Sequence, residues 1–157
     1  MSLNWRQFEL GVLRPTLEGE PEVAIKLVGE TIWHESDRLQ ALGQYVPDFS
    51  KPVFGPGLGI ASIEKSTWDW MHKLAGKPPW HGMIYQDVYY SDYADLTYDL
   101  RLNVLACRFR YKLDKRPLPK DMLIDRAEYW LSVYNGSGVR ERLAQYMGNA
   151  LDIPWVR

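Results

Sequence analysis

Between Asp95 and Leu113 the apolar residues of this chain fall on more than one side of a helical period. Leu96, Leu100, Val104, Cys107 and Tyr111 make one stripe, while Leu102, Leu105, Phe109 and Leu113 make others. A helix lying on a surface needs a single apolar stripe, so one that is apolar on several sides has to be surrounded by the rest of the chain. With 157 residues, 46% of them hydrophobic, the chain can supply that surround within one compact domain, burying roughly 70% of its unfolded surface. The expected architecture is mainly α, with the helix from Asp95 to Leu113 at its centre.

The flanking segments fit this plan. Asn4 can cap a first helix carrying Trp5, Phe8 and Val12, which Pro15 is expected to stop. After a turn over Thr16 to Glu20, Pro21 suits the first position of a helix in which Ala24, Val28, Thr31 and Glu35 share a stripe beside Leu27 and Ile32. Gly43, Pro47, Pro52, Gly55, Pro56, Gly57 and Gly59 exclude a helix between Leu42 and Gly59 and leave a small irregular or β lobe. Ser66 and Asp69 fit a capping box for a helix ending near Gly76. Leu123, Ala127, Trp130 and Tyr134 predict another that ends at Tyr134 and Asn135, with Gly136 and Gly138 behind it, and Val139, Leu143, Tyr146 and Met147 predict the last.

A formal net charge of -1 and a pI near 6.3 argue against nucleic-acid binding, which needs a basic face to displace counterions from phosphates. No apolar stretch long enough for a membrane span is visible, and Met1 to Glu20 does not read as a signal peptide. Cys107 lies in the central apolar pattern and reads as a small buried hydrophobe. His34, His72 and His81 do not have zinc-site spacing, and neither Gly55 to Gly59 nor Gly136-Ser137-Gly138 has that of a phosphate loop or nucleophile elbow. No cofactor and no metal are expected.

Glu35, at the end of its helical pattern, is the candidate for acid chemistry. Cleaving a glycosidic bond requires a protonated carboxyl beside the bridging oxygen, so the carboxyl's surroundings must raise its pKa. The negative end of a helix macrodipole disfavours the carboxylate by about 0.3 to 1 kcal/mol, and Ile32 and Trp33 are the neighbours expected to add desolvation. A solvated acid at a helix end is the bland alternative. Two later segments accompany Glu35-Ser36: Gly59-Ile60-Ala61-Ser62-Ile63-Glu64-Lys65-Ser66-Thr67 and Val133-Tyr134-Asn135-Gly136-Ser137-Gly138-Val139. In that order they resemble the three motifs of the soluble lytic transglycosylases of the lysozyme superfamily, which are a helix-terminal Glu-Ser, Gly-Leu-Met-Gln-Ile-x-Pro-x-Thr, and Ala-Tyr-Asn followed by glycines.

The resemblance implies a lysozyme-like fold over residues 1–157 and an enzyme of lytic transglycosylase or muramidase type acting on peptidoglycan, between N-acetylmuramic acid and N-acetylglucosamine. It makes Glu35 the catalytic acid/base. Ser36, Gly59, Ser62, Tyr134 and Asn135 become substrate-binding residues, with Tyr134 lining the cleft and Asn135 fixing the turn that follows. Glu64 is the candidate second carboxylate that a water-using muramidase would need. Ser62 stands where the family has glutamine and Lys65 where it has proline, so a substrate contact and a helix start both differ. The same residues also have structural readings: Gly55 to Gly59 as a plain turn, Tyr134 as a core aromatic. Trp68, Trp70, Trp80, Tyr85, Tyr89, Tyr90 and Tyr93 are candidates for stacking on sugar rings, most of them for packing.

Arg14-Pro15-Thr16-Leu17, His34-Glu35-Ser36, Gly55-Pro56-Gly57-Leu58-Gly59 with Glu64 and Thr67, and Tyr129-Trp130 before Tyr134-Asn135 look, together, like small phage proteins of lysozyme-like type. That resemblance implies a bacteriophage origin; the preferred expectation is a virion-associated enzyme acting on the host cell wall or periplasm during penetration, with peptidoglycan and other virion or tail proteins as partners, and a free endolysin is left open. The alternative is a catalytically weak or inactive lysozyme-like tail component kept for wall binding or assembly.

Overall fold

The computed structural model describes residues 3–40, 43–46 and 53–157, with backbone alone at 43–46 and 53–56. The chain is mainly helical with a small antiparallel sheet. Helix α1 (Trp5–Phe8) passes through a π-type stretch (Glu9–Leu13) into α2 (Arg14–Thr16), and α3 (Glu22–Glu35) follows. Strands β1 (Gly43–Val46), β2 (Val53–Leu58) and β3 (Ile63–Glu64) form the sheet in that order. Then come α4 (Lys65–Ala75), α5 (Gln86–Tyr89), a 3-10 turn (Tyr93–Thr97) and α6 (Leu100–Lys112). Helix α7 (Leu123–Tyr129), a second π-type stretch (Trp130–Asn135) and α8 (Arg140–Leu151) complete the chain.

Helix α6 is the centre. Every residue from Leu102 to Phe109 is buried, and α2, α3, α4, α5, the 3-10 turn and both π-type stretches pack around it. It begins at Leu100 rather than at Asp95. Two short acidic side chains cut the predicted element in two: Asp92 and Asp95 cap the 3-10 turn reciprocally, and Asp99 accepts from Leu102 N at 2.8 Å to start α6. Leu96 keeps its place in the apolar stripe and is buried from the 3-10 turn.

Three other boundaries differ from expectation for local reasons. Pro15 does not stop the first helical segment, because the chain has already widened to π-type bonding, with Arg14 N donating to Glu9 O, and helical bonding continues to Leu17 N on Leu13 O at 3.1 Å. Pro21 takes the extended cap position and α3 starts at Glu22. Ser66 and Asp69 form no capping box: Glu64 precedes the helix, and Asp69 pairs instead with Lys65 one turn back.

The breaker-rich lobe is a hairpin with a third short strand, paired Tyr45 to Phe54, Val46 to Val53, Gly57 to Glu64 and Leu58 to Ile63. Leu42, Pro47 and Pro52 lie outside the described residues. The β2–β3 connection is fastened to α6 by Asn103, whose Oδ1 accepts from Ala61 N at 3.3 Å while its Nδ2 donates to Leu96 O and Asp99 O, both at 2.8 Å. Gly59 sits against this amide at φ +72, where a Cβ would lie 2.0 Å from Asn103 Oδ1. The central helix thus sets where the lobe stands.

Candidate functional site

Glu35 is the last residue of α3, as its position in the apolar period predicts. Beyond it the chain turns sharply through Asp37, Arg38 and Leu39, all left-handed with φ of 47, 62 and 64. For residues with a Cβ this costs roughly 1–2 kcal/mol each. Burial of Leu39, the 2.8 Å bond from Arg38 N to Trp33 O and the Arg38–Asp152 ion pair hold the turn. Ser36 belongs to it as well. Its buried hydroxyl donates to Ile32 O at 2.6 Å and accepts from Leu39 N at 2.9 Å, so it closes the helix end and does not line the cavity described next.

The Glu35 side chain opens on a polar cavity of about 230 Å³. Separate parts of the chain supply its other walls: Ser62 and Glu64 from the lobe, Thr67 from α4, Arg110 from α6, Tyr134 and Asn135 from the second π-type stretch, and Arg142 from α8. Four of the residues expected beside Glu35 are therefore brought to it: Ser62, Glu64, Tyr134 and Asn135. Gly59 is not. It lies buried behind the lobe against Asn103 and permits the close approach of loop to α6.

Burial raises the Glu35 pKa from its ordinary value to about 7, against the opposing effects of a hydrogen bond from Trp130 and the positive charges of Arg110 and Arg142. Its carboxyl is half-buried, and Oε1 accepts from Trp130 Nε1 at 3.3 Å. Trp130 is locked by stacking on Tyr146, ring centroids 4.5 Å apart, and by the edge of His34. Trp33, expected as the desolvating neighbour, turns its ring edge-on to Trp5 in the core, and Trp130 takes the place beside the acid.

Tyr134 is both core and wall. It is buried, its hydroxyl donates to Ala61 O at 2.6 Å across to the lobe, and the Arg110 guanidinium lies 4.4 Å from its ring centroid while donating to its carbonyl. Asn135 does fix the turn, its Oδ1 accepting from the Ser137 backbone at 3.3 Å and from the Ser137 hydroxyl. Gly136 and Gly138 adopt the left-handed angles expected of them.

Sequence reasoning missed Arg110, Arg142 and Trp130 as site residues. A charged residue inside a helix apolar on several sides was a signal for Arg110, and the stripe shared with Tyr134 was one for Trp130. Nothing in the sequence marks Arg142. Of the aromatic candidates, Trp68 and Tyr85 are buried in the core and Trp80 packs against Tyr85 and Phe109. Trp70 is 48% exposed and lines a second hollow of about 430 Å³ with Leu113 and Val133. Thr67 and Arg110 wall both hollows, so the two adjoin. Tyr89 and Tyr90 are exposed and line neither. His34 bonds Asn149 through Nδ1, and burial, reinforced by Arg142, lowers its pKa to about 4.

Among the described residues no group of three or more His, Cys, Asp or Glu side chains is placed to hold a metal, and no helix is long and apolar enough to cross a membrane. Fold and site together define a mainly helical protein with a small sheet and a half-buried acid facing a polar cavity. No family model, curated protein or solved structure matches this chain.

Proposed function

We propose that the chain has a lysozyme-like fold and cleaves peptidoglycan at the glycosidic bond between N-acetylmuramic acid and N-acetylglucosamine, with Glu35 as the acid/base. The observation that carries this reading is the Glu35 carboxyl itself: held at a helix end, raised to about 7 and opening on a polar cavity. An acid with a pKa near the working pH can give up a proton and take one back in a single turnover. Protonated Glu35 donates to the bridging oxygen as the C1–O bond breaks, and the bonding electrons leave with that oxygen. The resulting carboxylate then takes the proton of the muramic 6-hydroxyl as its oxygen closes on C1, giving an anhydro end. The adjoining hollow with Trp70 extends the cavity and offers an aromatic face to a further sugar ring.

Glu64 shares the cavity and is the group that would serve a water-using reaction in its place. The setting we favour is a phage particle that opens the host wall locally during penetration. Glu35→Gln, compared with wild type on purified peptidoglycan, is expected to lose about 10²- to 10⁴-fold in turbidity-loss rate. Mass spectrometry of the products is expected to show anhydro ends. Reducing ends would assign the base to Glu64, equal clearing by both proteins would exclude Glu35 as the acid, and no clearing by wild type would leave a structural virion component.

A further inference from the structure

We propose that Arg110 and Arg142 form a recognition site for a substrate carboxylate, so that the preferred glycan carries an acid close to the bond that Glu35 cleaves. The inference rests on the reading of Glu35 as a glycan-cleaving acid and goes on to name the substrate's chemistry.

Both guanidiniums wall the Glu35 cavity, and they arrive from different helices, α6 and α8. Neither has a carboxylate partner among the described residues. Arg110 is fixed by the Tyr134 ring and the Tyr134 carbonyl, which engage one face and one donor of a five-donor fork. The Arg142 side chain is exposed and makes no hydrogen bond or ion pair among the described residues, whereas Arg140, two residues earlier, pairs with Glu128 at 3.5 Å. Glu35 receives its hydrogen bond from Trp130 and is bonded to neither arginine. While Glu35 is protonated, two cations therefore face this space against the single Glu64 carboxylate. A planar guanidinium offers parallel donors that match both oxygens of a carboxylate.

In peptidoglycan a carboxylate near this bond has two sources. One is the lactyl group of a muramic acid that has lost its peptide, and the other is the peptide stem itself. Calorimetric titration of the Glu35→Gln protein separates them, using a peptide-bearing muropeptide, a peptide-free muramic disaccharide, carboxyl-amidated forms of both, and a neutral chitooligosaccharide. At least one free-carboxylate fragment should bind about tenfold or more tighter than its amidated form, the advantage expected of a charge-assisted hydrogen bond. Adding Arg142→Gln should close that gap and leave the neutral oligosaccharide unchanged, and Arg142→Lys should restore part of it. Equal binding of free and amidated forms, or a gap that survives Arg142→Gln, overturns the arginine site alone. No binding of any saccharide by a protein whose thermal melt is intact overturns the glycan reading with it.

Discussion

At the scale of single residues, burial is what keeps the Glu35 carboxyl protonated. Its folded pKa, about 7, lies above its ordinary value of 4.5, so the folded state holds the proton more tightly than the unfolded chain does. The stability this contributes is complete below the unfolded value and is lost as pH rises through about 7. Above that pH the buried carboxylate costs up to about 3 kcal/mol. Glu35→Gln should therefore melt higher than wild type at pH 8, with the difference shrinking towards pH 4. A pH-independent difference would show that burial does not perturb this carboxyl. The Trp130 indole works in the opposite direction, favouring the charged form. Trp130→Phe should move the Glu35 midpoint upward in a carbon-13 titration of its carboxyl, and an unmoved midpoint would deny the contact. Glu35's place at a helix end was legible from the period of Ala24, Val28 and Thr31. Arg142 was not, because a residue's neighbours across the fold leave no trace in its own local pattern, and the patterns around Arg110 and Trp130 mark them as unusual or buried without showing that they meet Glu35.

At the scale of elements, the order and type of the longer helices were legible because apolar periodicity reports burial directly, as the fully buried run in α6 shows; the four-residue α5, with Val88 its one buried residue, is too short to show a period. Their ends were less so. Asp92, Asp95 and Asp99 can each either sit on a helix or begin one, and which happens depends on the backbone donors that tertiary packing leaves free. Both π-type stretches were invisible for a related reason: widening Glu9–Leu13 and Trp130–Asn135 alters hydrogen-bond partners without altering which residues are apolar. The second of them carries Tyr134 and Asn135 to the cavity. The lobe meets α6 where Gly59 touches Asn103. Gly59→Ala places a methyl 2.0 Å from Asn103 Oδ1 and 2.6 Å from Leu96 O at a positive φ, so it should cost about 3 kcal/mol or more in a urea unfolding experiment. Loss under 1 kcal/mol, about the size of an ordinary surface change, would show that the lobe can shift away from α6.

At the scale of the whole molecule, the cavity exists only because α3, the lobe, α4, α6, the second π-type stretch and α8 are held in one arrangement. Part of that arrangement is a buried ion pair that no motif announced. Glu30 of α3 accepts from Arg126 Nε at 3.1 and 2.9 Å and from its terminal nitrogen at 2.7 Å, the Tyr146 hydroxyl of α8 joins at 3.4 Å, and Arg126 reaches on to Asp121 at 2.6 Å. Removing one member leaves a buried charge alone, so Arg126→Ala should lose about 3–5 kcal/mol of folding stability. An Arg126→Met, Glu30→Leu double variant should recover much of that loss, and failure to recover would mean the network has a further structural task. Partners 96 residues apart cannot be paired from spacing, which is why α3, α7 and α8 were legible as helices but not as neighbours. The claim on which everything else depends is that Glu35 is the acid whose proton starts the reaction, and the pH dependence of peptidoglycan cleavage tests it most directly. Wild-type kcat/KM should fall with a midpoint near pH 7, matching the raised Glu35 pKa, and Glu35→Gln should show only residual cleavage with no such limb. A wild-type rate unchanged from pH 5 to pH 9, or full activity in Glu35→Gln, would contradict the account.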